Sequence, residues 1–244
     1  MKIGIIGAGN IGSTLARKLA ACGHEVKLAN SKGPDSIQAL ADEIGVHAVT
    51  KEEAASGVEV IILSIPFANY PDLRQTLSNI PEKTVVIDTS NYYPGRDGAI
   101  REVDEGLPES VWVSEQIGHP VVKAWNAVLA ATLADKGQPA GSPTRIALPV
   151  AGVDTYSETV AQDLVEDTGF IALAAGDLED SWRQQPGTPA YCTELTLPEL
   201  KVALQAADKA RAPQNRDALI ARFMAPGSQF THEQIVATNR AMTV

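Results

Sequence analysis

Cysteine is scarce in this sequence: Cys22 and Cys192 are the only two among 244 residues. Two distant thiols build neither a disulfide framework nor a zinc site of the usual ligand spacing. Their default is the reduced state of the cytosol, and a cytoplasmic protein is expected. The four histidines (His24, His47, His119 and His232) are scattered, and no His/Asp/Glu cluster points to a metal. Basic residues are also short, 20 Lys and Arg against 30 Asp and Glu, for a net charge of −10. A nucleic-acid binder needs a basic face to displace counterions, and an anionic membrane surface attracts one. Neither partner is expected. No run approaches the ~20 apolar residues of a membrane span. The opening MKIGIIGAGNIG is not expected to act as a signal peptide, because its glycines recur at fixed spacing and the turns that follow are amphipathic.

What is present is an ordinary globular balance, 44% hydrophobic and 20% charged, which argues against wholesale disorder. The length suits one large domain, or a domain with a smaller appendage. The first half alternates short apolar runs with helical patterns. Lys2–Ile6 reads as a strand, residues 11–22 as a helix with one buried stripe closed by Gly23, and Glu25–Ala29 as a second strand. A helix over 35–44, a short strand Val46–Val49 and a short helix Lys51–Ala55 follow. Val58–Ile65 and Thr84–Asp88 are nearly continuous apolar runs, the signature of strands covered on both faces, with a helix over Tyr70–Leu77 between them. Residues 89–108 read as a long loop, 109–118 as helix or strand, Val121–Trp125 as strand-like and Ala127–Asp135 as helix. Beyond a linker at Pro139–Pro143, strands Arg145–Val150 and Phe170–Ala174 flank a helix Thr155–Asp167. Helices are then expected over Glu199–Ala210 and Asp217–Phe223, and the tail from Thr231 reads as a helix or a frayed end. The pattern predicts an α/β fold: a Rossmann-type, doubly wound, mainly parallel sheet over residues 1–140 and a smaller C-terminal α/β extension over 141–244.

Gly7-Ala8-Gly9-Asn10-Ile11-Gly12 is G-x-G-x-x-G, weak alone but specific where it links a strand to a helix. Gly7 permits the tight turn, Gly9 lets the backbone approach a pyrophosphate, and Gly12 lets helix and strand pack closely. The helix N-terminus, where Asn10 and Ile11 stand, offers unpaired N–H groups to the phosphates. The end of the second strand selects the cofactor. A carboxylate there would hold the ribose 2′-hydroxyl of NAD, but Asn30, Ser31 and Lys32 stand at that point. An amide, a hydroxyl and an ammonium suit a 2′-phosphate, so NADP(H) is expected. Ligands of open α/β sheets lie beyond the carboxyl ends of the strands. The loop from Ser64 is therefore expected to flank the nicotinamide region, with Ile65, Pro66 and Phe67 as an apolar wall and Ser90 and Asn91 as polar contacts.

GAGNIG, NSKGP, SIPFANY, VVKAWNAVLAATL and GFIALAAGDLEDS, in this order over roughly residues 1–182, resemble the NADPH-dependent deazaflavin (coenzyme F420) reductases. The cytosolic domain of the STEAP metalloreductases is a more distant relative. The resemblance implies a cytoplasmic NADP(H) oxidoreductase, often a homodimer, with a small-molecule hydride acceptor. A deazaflavin or flavin co-substrate would meet the nicotinamide in a cleft between the Rossmann domain and the extension. After VVKAW the deazaflavin reductases carry a histidine-containing turn where this chain reads NAVLAATL, and residues 182–225 match nothing in them. Such hydride transfer needs no side-chain acid, because the ring carries the electrons. No catalytic side chain and no metal are therefore assigned.

Two rival functions are a reductase of a small keto or imino substrate and a non-catalytic NADPH sensor. The best candidates for a hidden acid are Lys123 and Asn126, although a structural lysine at a strand edge is the plainer reading. Trp112, Trp125 and Trp182 are expected to fill a core, Asn91–Pro94 to form a lid or an exposed turn, Cys192 to be an inert thiol, and Arg96 with Asp97 to be a solvated pair.

Overall fold

Successive residues of a strand face opposite sides of its sheet, and here both sides are apolar. In the computed structural model, which describes residues 1–243, Ile3, Ile5, Ile62 and Ile87 enter one buried cluster while Ile6, Ile61, Leu63 and Val86 enter another. The first cluster is closed by the helices Asn10–Ala21 and Thr155–Asp167, through Leu15, Leu19, Val160 and Leu164. The second is closed by the helix Glu109–Ile117 and the turn after residue 66, through Trp112, Val113, Phe67 and Tyr70. This is the doubly wound α/β arrangement that the alternation predicts.

The eight strands are β1 (Lys2–Ile6), β2 (Glu25–Ala29), β3 (His47–Ala48), β4 (Val60–Leu63), β5 (Val85–Asp88), β6 (Val122–Lys123), β7 (Ala147–Gly152) and β8 (Ile171–Asp177). Their order in the single sheet is β3-β2-β1-β4-β5-β6-β7-β8. All neighbours are parallel except β6 and β7, which meet at Lys123↔Ala151. The extension beyond residue 141 thus lays β7 and β8 on the same sheet. The helices Leu197–Ala206, Ala212–Phe223 and His232–Met242 follow, and a third cluster forms around Ala147, Leu200 and Leu204. No helix of the described residues is long and apolar enough to cross a membrane.

Several elements differ from their sequence pattern for identifiable reasons. The expected helix over 70–77 is a 3-10 helix over Phe67–Leu73 before one α turn at Arg74–Leu77, because Pro71 lies inside it and lacks a donor. The helix expected over 35–44 likewise opens as a 3-10 turn at Pro34–Ile37. Residues 109–117 are helix, and β6 stops after two residues, before Trp125 turns left-handed at φ 55°. The long stretch after β5 holds short helices at Pro94–Asp97 and Arg101–Asp104. It is pinned by Tyr92, fully buried, whose hydroxyl accepts the Ile100 N–H at 3.0 Å and lies 3.1 Å from Asp104.

Candidate active site: a two-lobed cleft at the strand ends

Strand order reverses between β1 and β4, and the chains leaving these two paired strands pass to opposite faces of the sheet, the arrangement that leaves a crevice at the strand ends. The Gly7 N–H donates to Ala29 O at 2.8 Å and the Ser64 N–H to Ile6 O at 2.9 Å, so the glycine turn and the Ser64–Pro66 turn lie side by side. Gly7 has φ 116°, and a Cβ there would meet Ser64 O at 2.0 Å. A Cβ on Gly12 would meet Gly7 O at 1.8 Å, which fixes the close helix–turn packing. Gly9 is different: a Cβ on it would enter open space, with nothing within 4 Å. The helix beginning at Asn10 has no side-chain cap and no acidic residue in its first turn. A vacant approach, uncapped N–H groups and the positive end of a helix fit a pyrophosphate.

The crevice has two lobes sharing Gly9, Ser64, Ile65 and Pro66. The larger, about 840 Å³, is lined by Gly7, Asn30, Ser31, Lys32, Gly33, Ser36, Thr50 and Lys51, among others. The smaller, about 390 Å³, is lined by Asn10, Ile11, Thr89, Ser90, Asn91, Tyr93, Arg96, Asn126, Leu129, Tyr191 and Cys192, among others. Every cofactor-site residue expected from sequence therefore borders one lobe or both except Gly12, which lies beneath the turn. Phe67, expected in the wall, is instead fully buried and stacks on Trp112 with ring centroids 4.8 Å apart.

At the large lobe, Asn30 shapes the loop rather than facing a ligand freely. Its Nδ2 donates to Ser36 Oγ at 2.8 Å, and its Oδ1 accepts the Lys32 N–H at 3.1 Å. Ser31 and Lys32 are exposed, and the Lys32 ammonium has no ion pair among the described residues. A free cation on a preformed loop at the adenosine end suits a 2′-phosphate.

At the small lobe the expected polar contacts are spent internally. The Ser90 hydroxyl donates to Asp88 Oδ1 at 2.6 Å. Asn91 and Asn126 bond reciprocally: Asn91 Nδ2 donates to Asn126 O at 2.9 Å and Asn126 Nδ2 to Asn91 Oδ1 at 3.0 Å. Two phenols that the sequence does not bring together meet here, Tyr93 and Tyr191, with hydroxyls 2.7 Å apart. Burial raises both of their pKa values above the ordinary phenol value, and it pushes the adjoining Cys192 thiol up to about 12. Cys192 thus lines the lobe as a neutral thiol. Arg96 and Asp97 are no solvated pair. The Asp97 side chain is 1% exposed and accepts two bonds from the guanidinium, at 2.9 Å each, and Arg96 Nη2 also donates to Asn91 O at 2.7 Å.

Lys123 is neither an edge lysine nor a cleft acid. It is fully buried in the interior strand β6, where its ammonium donates to Glu109 Oε2 at 3.2 Å, Ser110 Oγ at 3.0 Å and Ser90 O at 3.2 Å, and lies 3.7 Å from Asp88. Asp88 also accepts from the hydroxyls of Tyr70 and Ser110, at 2.5 and 2.6 Å. Burial raises the Glu109 pKa, with Lys123 opposing. This knot of charge underlies the loop that carries Ser90 and Asn91. Of the tryptophans, Trp112 and Trp125 are core residues, and Trp182 is half-buried with the Arg183 guanidinium 4.4 Å over its ring.

The family model described as NADP oxidoreductase, coenzyme F420-dependent, matches residues 2–92, which hold the glycine turn, the Asn30–Lys32 loop and the Ser64–Pro66 turn. Escherichia coli protein YjhV is 38% identical over 104 residues, 43% of this chain and 76% of YjhV. A hypothetical protein of Sinorhizobium meliloti superposes with a TM-score of 0.69 at 31% identity, over 80% of this chain and 95% of that one. An Arthrobacter protein provisionally assigned as an F420-dependent NADP reductase superposes at 0.57 with 21% identity, over 73% of this chain and 86% of its own, a likeness of fold.

Proposed function

The chain belongs to the coenzyme F420-dependent NADP oxidoreductase family, and from that premise we propose that it passes a hydride between NADPH and a deazaflavin or flavin ring bound in the smaller lobe. The observation that carries the reading is the pair of joined lobes, one with a free cation on a loop beyond β2, the other lined by apolar groups, neutral polar groups and the Asp97-paired Arg96. Bound NADPH would supply the hydride, and the protein would supply position.

In this reading the Gly9–Asn10 turn and the helix N-terminus hold the pyrophosphate, and Ser31 and Lys32 hold the 2′-phosphate. Ile65 and Pro66, shared by both lobes, form the wall against which the nicotinamide lies. The acceptor is a small molecule, because a lobe of about 390 Å³ suits a ring system rather than a polymer. Reduction of a keto or imino substrate with Lys123 as acid is disfavoured, since that ammonium is buried among carboxylates and away from the cleft.

Loss of NADPH absorbance on mixing with F420, FMN or FAD, with NADH in parallel, tests the reading. Turnover with NADPH and one of these rings, and none with NADH, is expected. Saturable NADPH binding with no turnover on any ring would overturn the acceptor and leave the nucleotide site standing.

A further inference from the structure

One wall of the smaller lobe is built by a segment with unusual backbone. Cys192 (φ 56°) and Glu194 (φ 50°) adopt left-handed conformations without being glycine. Such conformations persist where surroundings over-determine them, and they gather at functional sites. Here Asn239 Nδ2 donates to Cys192 O at 3.0 Å, and Arg240 donates to Thr193 O at 2.6 Å and to Glu194 O at 2.7 Å. The Glu194 carboxylate accepts from Thr132 at 2.6 Å and Lys136 at 3.0 Å, and lies 2.6 Å from His232 Nε2. His232, Asn239 and Arg240 all belong to the helix His232–Met242, which itself lines neither lobe.

What this clamp presents to the lobe is Tyr191, against Tyr93. Between two hydroxyls one hydrogen bridges the oxygens and the other can turn to the adjoining Cys192 thiol or to a ligand. Ser90, Asn91 and Asn126 have spent their polar groups on one another, on Gln184 or on the knot beneath, so on this side of the lobe the phenol pair, beside Arg96, is what faces a ligand. The Arg96 guanidinium lies 5.2 Å from the centre of the Tyr93 ring, with Asp97 as its counter-ion.

We propose that the Tyr93–Tyr191 pair grips the hydride acceptor, donating a hydrogen bond to a carbonyl oxygen or ring nitrogen of a flat conjugated ring, and that the helix His232–Met242 positions Tyr191 for it. The proposal rests on the hydride-transfer reading above. Reduction adds two electrons and one hydrogen to the ring as hydride, leaving NADP⁺, and then one proton. The negative charge arriving on the ring heteroatom is met by the phenol O–H, and the proton comes from solvent through the pair. A preorganised donor aimed at developing charge is the usual protein contribution to such a step. Asn239, Arg240 and His232 are positioning residues.

The test titrates the protein, saturated with NADP⁺, with oxidised F420 and with FMN, reading the ring's visible absorbance and fluorescence. NADPH affinity is measured on the same preparations. At least one ring binds the wild-type protein, and Tyr191→Phe and Tyr93→Phe each weaken that binding about tenfold, a single hydrogen bond's worth, while NADPH affinity changes less than about twofold. In turnover, Tyr191→Phe raises KM for the ring and lowers kcat. Arg240→Gln, confirmed folded by its melting curve, shows the same selective loss. Wild-type protein that binds neither ring, or phenylalanine variants that bind as wild type, would overturn the proposal, and unchanged ring binding in Arg240→Gln would overturn the positioning role. Absence of NADPH binding in the wild type would instead sink the nucleotide reading, so the two failures are distinguishable.

Discussion

At the large lobe one side is built by short contiguous pieces of chain. A turn with an open approach at Gly9, the uncapped start of one helix and a four-residue loop after β2 make that side, all within the first 33 residues, and Thr50, Lys51 and Ser64–Pro66 complete the rim. At the small lobe the surface is side chain, gathered from the ends of β4 and β5, the turn after β6 and the segment before residue 195, and stabilised by buried charge below and a terminal helix behind. Local backbone geometry tolerates change anywhere except at its few fixed points. An assembly of distant side chains is coupled to the stability of the whole fold.

That contrast can be broken most forcefully beneath the small lobe. Lys123→Met leaves Asp88 and Glu109 without their cation, and removing one partner of a buried pair costs about 3–5 kcal/mol. The melting temperature is expected to fall by roughly 10 °C, since each kcal/mol moves a protein of this size by a few degrees. A variant that melts with the wild type would show the charge knot to be inessential. Gly9→Val makes the opposite incision. Its φ of −75° is ordinary and no atom opposes a Cβ, so melting should be unchanged. NADPH and NADH should both lose more than about 100-fold in affinity, roughly 3 kcal/mol. Retained binding by calorimetry would place the phosphates elsewhere.

Lys32→Asp sharpens the comparison within the large lobe. NADPH should weaken about tenfold or more, about 1.4 kcal/mol, with NADH nearly unaffected and the difference shrinking in high salt. Equal losses for the two nucleotides would end the 2′-phosphate assignment. The smallest effect is at Glu109. Burial raises its folded-state pKa above the ordinary 4.5, so its contribution is fully present below that value and is lost as pH rises through the raised one. Glu109→Gln should therefore gain stability relative to the wild type between pH 4 and pH 8. A wild-type protein that gains on the variant over that range would show that Lys123 holds Glu109 as a stabilised anion.

The large lobe was legible in the sequence because its determinants are contiguous. Gly7, Gly9 and Gly12, and the stretch Asn30–Lys32, carry their geometry in local spacing, and the buried strands announce themselves as apolar runs. Even there Asn30 is a loop-shaping residue, since its bond to Ser36 depends on a fold-back that spacing does not encode. The small lobe was legible at Asn10 and Ile11, which open a helix, and at Ser64–Pro66 and Ser90–Asn91, which sit at strand ends. Tyr191 is separated from Tyr93 by 98 residues, and no periodicity joins them. The usable signal was weaker, an aromatic-cysteine pair inside the stretch 182–225 that matches nothing in the deazaflavin reductases. Lys123 misled in the other direction. A lysine inside the strand-like run Val121–Trp125 reads as an edge residue, and only the later pairing of β7 encloses it.

Because β6 and β7 run antiparallel and share one bridged pair, the sheet has a natural seam between residues 123 and 151. The strands before it deliver the glycine turn and the cation loop complete, and the chain after it delivers Tyr191 and its clamp. A seam of that kind invites recombination. Homologous chains could exchange everything C-terminal to it and inherit a new acceptor wall while keeping the nucleotide they read. For the engineer, the same join marks where a chimera should cross over if the reductant is to stay and the substrate is to change.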